Sequence, residues 1–469
     1  MSDPIVIVGA GPAGLSCAAE LVSAGCDVVL IDDNPVAGGQ YFRQLPACYS
    51  AGTGARLLRD KSRFDALAKV LEDPHVRYLP RTTVWGVPGP KTLAYVRNEG
   101  SGRIKAQAIV IATGAQEKSV PFPGWTLPGI VSAGGCLNLA KAHGLVPTGR
   151  VVVAGNGPLV LVAAATLVTA GAAVVRVVEA QSDLRLASAA LSGMFAAPKI
   201  LRTGIGYRAQ ILAARIGFQT GWMVVRATGV HNLTAISIAP IGKDGRPRIE
   251  KQQWIETDFL VVGYGLLPGT EAARLLGCRM LYDPGLNGLV PWRNAKLQTS
   301  EEGVYAIGDG AGIGGVEVAL LEGRIAAHSI LGSEASAPLV TRYRRLDNYR
   351  RKLNLAYTMS QPLVAATDDT IICRCEELTL GRLLADPGRN RNSLNAVKTS
   401  SRLGMGRCQG RYCLHVASLL LGLGTDGLTS HPRARPPLKP VTIGLLAADK
   451  DVAPATEPDE MSLSKHKDA

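Results

Sequence analysis

Short apolar runs recur along the chain, each closed by glycine and followed by a stretch with helical spacing. Ile5, Val6, Ile7 and Val8 are continuous and apolar, as a strand buried on both faces requires. A helix over Leu15–Ala24, ended by Gly25, and a second strand over Val28–Ile31 follow. The pattern then predicts a helix over 55–72, short strands within Thr82–Val96 broken by turns at Gly86–Gly89, and a buried strand over Ala108–Ala112. From Gly149 to Glu179 the order strand, glycine turn, helix, strand appears again, an internal duplication. Helices are expected over 183–222, then strands at Trp222–Ala227, Leu233–Pro240 and around Trp254. Further buried strands lie in Asp258–Gly265 and Val304–Ile307. Such alternation predicts an α/β chain with two Rossmann-like dinucleotide-binding domains. Residues 335–366 are polar and Arg-rich and read as a solvated helical linker to a new domain. The proline-rich end reads as an extended arm to about Ala448, with a disordered tail beyond.

The first glycine turn, GAGPAG, spans Gly9, Ala10, Gly11, Pro12, Ala13 and Gly14. Gly9 permits the tight turn, Gly11 lets the backbone approach a pyrophosphate, and Gly14 lets the helix pack on the strand. The helix N-terminus points its free N–H groups at the phosphates. Asp32, at the end of the second strand, is placed to accept hydrogen bonds from a ribose. Gly38 and Gly39 offer a second close backbone approach, with Gln40 and Arg43 beside it as contacts or as ordinary loop residues. Val84 is placed to lay its backbone against an adenine edge, and the strand ending in Thr113–Gly114 returns the chain to the cofactor. Gly308 turns the chain after Ile307, Asp309 is suited to ribityl hydroxyls, and Gly314–Gly315 open a helix whose N-terminus would stabilise a reduced isoalloxazine. The duplicated turn keeps Gly155 and Gly157 but has Val160 at the third glycine position. Two readings stand there: a second dinucleotide site, or a retained fold with weakened or altered binding because Val160 pushes the helix off the strand or narrows the phosphate site.

The chain has 469 residues with 46% hydrophobic content, enough for about three domains with sizeable cores. Its formal net charge of +13 is scattered, with no aromatic-studded basic patch, and gives no support for a nucleic-acid partner. No long uninterrupted apolar stretch predicts a membrane span, and the first strand begins too early to leave room for a signal peptide. A cytoplasmic protein, at most peripheral to a membrane, is expected.

Nine cysteines are present. Cys17, Cys26, Cys48, Cys136 and Cys278 stand singly, so dithiol chemistry is not expected. Cys373 and Cys375 form a CxC pair, and Cys408 and Cys413 follow within GMGRCQGRYC. Four thiols in two close pairs read as a metal site. CxC spacing and the nearby Gly404, Gly406 and Gly410 suit a [2Fe–2S] cluster, with Lys398, Arg402, Arg407 and Arg411 offsetting its charge. Zinc and disulfides are the alternatives. The histidines are dispersed, and no acid–base constellation for substrate oxidation stands out.

GAGPAG with Asp32, ATG at Ala112–Gly114 and GD at Gly308–Asp309 resemble flavoproteins with two dinucleotide-binding domains of the glutathione-reductase type. VPFPGWTLPGI, CRCE and GMGRCQGRYC narrow the resemblance to the α (A) subunits of heteromeric amino-acid, (hydroxy)proline and opine dehydrogenases or oxidases, a group that includes the B-type subunit of hydrogen cyanide synthase. It covers nearly the whole chain. The resemblance implies that Gly9, Gly11, Gly14, Asp32, Gly39, Gln40, Val84, Thr113, Gly114 and Asp309 line FAD, with Pro12, Ala13 and Gly308 in the same motifs. It implies that Cys373, Cys375, Cys408 and Cys413 hold a [2Fe–2S] cluster. It also implies a catalytic β subunit with its own FAD that oxidises the amine substrate, in some members a small third subunit, an FMN at a subunit interface, and ATP or NAD(P) in the second domain. No catalytic residue is assigned to this chain. A quinone is the expected acceptor. The implied organisation is a discontinuous FAD domain (1–120 and 285–334), a second dinucleotide-binding-like domain (121–284), a helical linker (335–366), a small [2Fe–2S] domain (367–430) and an arm with its tail (431–469). Two other functions remain open on the residues alone: a stand-alone NAD(P)H-dependent flavoprotein reductase, and an iron–sulfur carrier with a vestigial flavin fold.

Overall fold

The computed structural model describes residues 3–44, 60–98, 100–359, 365–388, 393–422 and 434–447. Cys48, the first part of the helix expected over 55–72 and the tail beyond Ala448 lie outside them.

Two five-stranded parallel sheets organise the molecule. In the first the order is Val304–Ala306, Ala108–Ile111, Ile5–Val8, Val28–Ile31, Val76–Leu79. In the second it is Ile130–Ser132, Phe259–Gly263, Arg150–Gly155, Ala173–Glu179, Gly217–Thr220. The strand that opens each unit is central, and its glycine turn lies at its carboxyl end, where parallel α/β sheets bind ligands. Each sheet also has a three-stranded antiparallel meander inserted between equivalent strands: Thr82–Gly89, Thr92–Arg97 and Gly100–Lys105 in the first unit, and Trp222–Thr228, Ala235–Pro240 and Gln253–Glu256 in the second. The duplication thus extends through the whole unit. Continuous apolar strands are required because helices cover one face of each sheet and the antiparallel meander the other, and Val6, Ile7, Ile109, Val110, Val152 and Val153 are all completely buried.

Three local expectations differ from the structure. The first helix begins at Pro12, since proline is favoured in the opening turn, where its missing N–H is not needed. Strand Thr82–Gly89 runs through the glycines expected to break it, with a register shift at Gly86; the chain turns only at Pro90–Lys91, where Lys91 has φ 50°. The helical region after Asp183 stops at Ala213, and Gly217–Thr220 pairs with Arg176–Glu179 as an edge strand.

The Arg-rich connector differs most. It is a helix, Ala337–Ala356, but not a solvated one: Leu339, Leu346, Tyr349 and Arg350 are buried. Arg350 is only 3% exposed. It pairs with Glu322 at 3.0 Å and donates to the Gly312 carbonyl at 3.0 Å. Glu322 is fully buried and also pairs with Arg293 at 3.1 Å. Arg351 bonds Asp283, and Asn354 donates to the carbonyls of Gly285 and Ile313. The charge run therefore carries one inward-facing row that fastens the helix to the first unit.

Beyond it, Ile371–Cys373 and Leu378–Thr379 form a small hairpin. Helices Leu380–Leu384, Leu394–Ser401 and Cys413–Leu420 pack with it around their own apolar cluster. This unit sits on the dinucleotide-binding body through Trp125 Nε1, which donates to Ile371 O at 2.7 Å, and Gln116 Nε2, which donates to Arg411 O at 3.2 Å. The segment from 434 crosses the gap: Leu438 N donates to Trp85 O, while its own carbonyl accepts from Arg411. Among the described residues no helix is long and apolar enough to cross a membrane.

Candidate functional site

The first glycine turn is fixed by contacts that only glycine allows. A Cβ on Gly9 would lie 2.3 Å from Ala112 O, and one on Gly14 would lie 1.9 Å from Gly9 O. Gly11 is different. A Cβ there would meet only Gly39 Cα, at 3.9 Å, so nothing in the fold itself forbids a side chain. Gly38 N donates to Ala10 O at 2.8 Å and folds the second glycine pair over the first turn. Asp32 is buried; it accepts from Ala10 N at 2.6 Å and from Asn34 N at 2.7 Å. Burial raises its carboxyl above the ordinary value, and the Asn34 and Ala10 donors hold that rise back. Arg43 donates to Asn34 Oδ1 at 3.1 Å, and its buried Nε has no partner. A buried guanidinium nitrogen without a partner, on the loop that Gly38 N ties to Ala10 O, is a donor an anionic group could meet.

The strand end at Ala112–Thr113 and Gly308 reach the same place. Thr113 Oγ1 donates to Gly269 O at 2.9 Å, and Gly269 N donates back to Gly114 O. A Cβ on Gly308 would stand 3.0 Å from Ala13 Cβ, which puts the GD motif against the GAGPAG helix. Asp309 accepts from Gly314 N at 2.8 Å and Gly315 N at 2.9 Å, capping helix Gly315–Ile330. Burial raises the Asp309 carboxyl. Val84 lies in the meander, packed against the apolar cluster that holds Ile31 and Leu79. Gln40 is exposed.

Glu322, Arg293 and Arg350 were not anticipated. Glu322 accepts from Gly308 N at 2.7 Å, while Arg350 holds the Gly312 carbonyl. Together they pin both ends of the loop that carries Asp309. The available signal was an acid, Glu322, directly after the apolar run Val318, Ala319, Leu320 and Leu321.

In the second unit Gly155 repeats Gly9: its Cβ would lie 1.8 Å from Gly263 O. Val160 is buried in the apolar core beside Val151 and Val153. Glu179, equivalent to Asp32, is 4% exposed and accepts from Gly157 N at 3.2 Å and Gln181 N at 3.0 Å. Burial pushes its carboxyl up to about 8.

The four C-terminal cysteines come together as two pairs, Cys373 with Cys413 and Cys375 with Cys408. The hydrogen bond from Cys413 and backbone N–H groups of Gly404, Glu376 and Cys375 hold the Cys373 thiol down at about 6. The N–H groups of Tyr412 and Gly410 point at the Cys408 sulfur. Gly406 is required here, since its Cβ would fall 2.1 Å from Cys375 Cβ. Among the described residues no three or more His, Cys, Asp or Glu side chains are arranged around a single ion position. A two-iron cluster instead takes two protein ligands on each iron, and two thiol pairs ringed by N–H donors are a donor set of that kind. A cavity of about 1470 Å³ lies between these loops and the first unit, lined by Thr270, Arg274, Lys398, Arg402, Arg411 and Arg435 among others.

Known proteins of this design extend the comparison. Residues 3–323 match the family model described as pyridine nucleotide-disulphide oxidoreductase. The opine oxidase A subunit of Rhizobium meliloti (strain 1021) is 34% identical, over 94% of this chain and 98% of that one. Hydrogen cyanide synthase subunit HcnB of Pseudomonas aeruginosa is 33% identical, over 88% and 91%. Among solved structures, L-proline dehydrogenase from P. horikoshii superposes with a TM-score of 0.65 at 19% identity, covering 95% of this chain and 80% of that one, a likeness of fold. Two duplicated glycine-turn units, a converged dinucleotide cradle and full-length relatives at this identity lead to one conclusion: the chain is an oxidoreductase of the pyridine nucleotide-disulphide oxidoreductase family, in the branch that contains the A subunits of opine oxidase and the HcnB subunits of hydrogen cyanide synthase.

Proposed function

We propose that this chain is the FAD- and [2Fe–2S]-carrying electron-transfer subunit of a heteromeric dehydrogenase or oxidase that acts on the C–N bond of an amino acid, imino acid or opine. The observation that carries the reading is the pairing of four cysteines on a small unit docked to an intact dinucleotide cradle. Relatives named as oxidase subunits over nearly the full chain support it.

Gly9, Gly11, Pro12, Ala13 and Gly14 shape the pyrophosphate cradle, with Gly39 and Gln40 in the covering loop and Arg43 Nε toward the anion. Asp32 orients a ribose and Val84 borders the adenine. Thr113, Gly114, Gly308 and Asp309 position the ribityl chain, and Asp309 fixes the N-terminus of helix Gly315–Ile330 toward the flavin ring. Cys373, Cys375, Cys408 and Cys413 would hold the cluster. When bound, the flavin accepts electrons in pairs and the cluster passes them singly. What this chain's residues do is bind, orient and screen: backbone N–H groups around Cys373 and Cys408 offset thiolate charge, and the Arg-lined cavity between the two sites favours an anionic group, consistent with FMN at a subunit interface. Substrate oxidation belongs to a partner flavoprotein subunit, with a quinone as the acceptor.

The test is anaerobic. The purified chain, alone and with a co-expressed flavin-dependent amine-oxidising subunit, is mixed with proline, sarcosine or octopine while the visible bands are followed. Bleaching that requires both the partner and one of these substrates is expected. Bleaching of the isolated chain by substrate, or bands that stay oxidised beside a partner that is itself turning over, overturns the reading.

A further inference from the structure

A dinucleotide cradle keeps its second glycine bare so that a pyrophosphate can lie against it and against the helix N-terminus. In the second unit something else lies there. A Cβ on Gly157 would sit 4.0 Å from Cδ1 of Tyr357, the residue that ends the connector helix. Asn156 Nδ2, from the turn itself, donates to Tyr357 O at 2.5 Å. Arg185, from the following helix, donates to Thr358 O at 3.2 Å. The main chain leaving the connector is thus held from two sides of the turn, with the Tyr357 ring over the glycine.

We infer that the pyridine-nucleotide site of the second unit is closed by this chain's own Tyr357, and that the unit serves as the seat of the connector helix rather than as a site for NAD(P)H or ATP. The inference is independent of the partner reading above.

Three further observations agree. Glu179 stands where an acid would meet a ribose, but it is 4% exposed and accepts backbone N–H groups of Gly157 and Gln181. Tyr357 lies close enough for Glu179 to add to the effect of burial in raising its phenol. Val160 occupies the third glycine position, where at the first turn even a methyl would stand 1.9 Å from Gly9 O; the second helix has therefore been released from the close packing a cradle uses. Finally, the plug is not a loose side chain. The same helix is fastened to the first unit through Arg350 on Gly312, Arg351 on Asp283 and Asn354 on Gly285 and Ile313. One element therefore spans both dinucleotide-binding units, and a nucleotide entering the second must displace an end anchored in the first. Apparent affinity is the open site's affinity multiplied by the fraction of molecules in which that end is out of place.

The test is equilibrium binding to the flavin-loaded full chain by calorimetry, with NADH, NADPH and ATP as probes. The wild type is expected to show no saturation up to about millimolar nucleotide, the weak end of ordinary affinity. Tyr357→Ala is expected to bind NADH at least about tenfold more tightly than the wild-type limit, because it removes the closed state's hold on the site. Asn156→Ala, which cuts the anchor and leaves the ring, is the second variant, with a smaller gain in the same direction. The flavin-to-protein ratio, set in the other unit, reports that each variant is folded. Saturable NADH binding to the wild type overturns the inference. So does the absence of any gain in both variants, because Tyr357 is then not what closes the site.

Discussion

Replacing Arg350 by methionine asks whether the connector helix is part of the nucleotide-binding body or merely attached to it. Methionine keeps much of the apolar stem and removes the guanidinium. That group bonds Gly312 O at 3.0 Å, Glu322 at 3.0 Å and Asp347 at 2.7 Å. With Arg293 the set holds two charges of each sign, and the substitution leaves one negative charge in excess around a fully buried Glu322. Removing one partner of a buried pair costs about 3–5 kcal/mol. At about 2–4 °C per kcal/mol for domains of this size, Tm should fall by about 6–20 °C. The assay is thermal release of flavin fluorescence, because the loop carrying Asp309 depends on the Arg350–Gly312 bond. Arg345→Met, on the exposed face of the same helix, is the control and should stay within about 0.5 kcal/mol. Burial opposes ionisation of Glu322, but Arg293 and Arg350 outweigh it and hold the carboxyl below its ordinary value. This contribution is therefore complete above the ordinary carboxylate pKa of 4.5 and is lost as pH falls through the lower folded value. In Arg350→Met the acid limb should move to higher pH. A loss under about 1 kcal/mol, no larger than that of Arg345→Met, would refute the reasoning that this cation is structural.

Three other outcomes are expected. Gly11→Ala should fold, since its methyl meets only Gly39 Cα at 3.9 Å, yet bind FAD at least about tenfold more weakly, whereas Gly14→Ala, 1.9 Å from Gly9 O, should destabilise the body itself by about 1–3 kcal/mol; flavin content and melting of the apoprotein separate the two. Cys408→Ser should abolish cluster absorbance while the FAD spectrum persists. Glu179 keeps its proton to about pH 8 when folded but loses it near 4.5 when unfolded, so stability should decline as pH rises through that window, and Glu179→Gln should flatten the decline in a pH series of melting curves.

The strands were legible because burial on both faces leaves no room for a polar position, as in Ile5–Val8 and Arg150–Gly155 beyond its first residue. The GAGPAG turn was legible in part because Gly14 answers to a contact within the motif itself, with Gly9 O, whereas the contact that requires Gly9 comes from Ala112, far along the chain. What escaped were residues whose reason lies far along the chain. Arg350 sits in a run with the exposed Arg344 and Arg345, and its bonds to Glu322, 28 residues earlier, and to Gly312 O make it a core residue. Tyr357 has no motif at all; its role depends on Asn156, 201 residues earlier. Asp309 was expected as a ligand contact, but its acceptance of Gly314 and Gly315 N–H groups is a helix cap, a second task that a strand-end acid does not announce.

The most direct test of the account is the cofactor stoichiometry of the chain purified anaerobically: FAD, iron and acid-labile sulfide measured on the same sample. One FAD, two irons and two sulfides per chain are predicted. Flavin with zinc, or flavin with neither iron nor sulfide at the four cysteines, would contradict it.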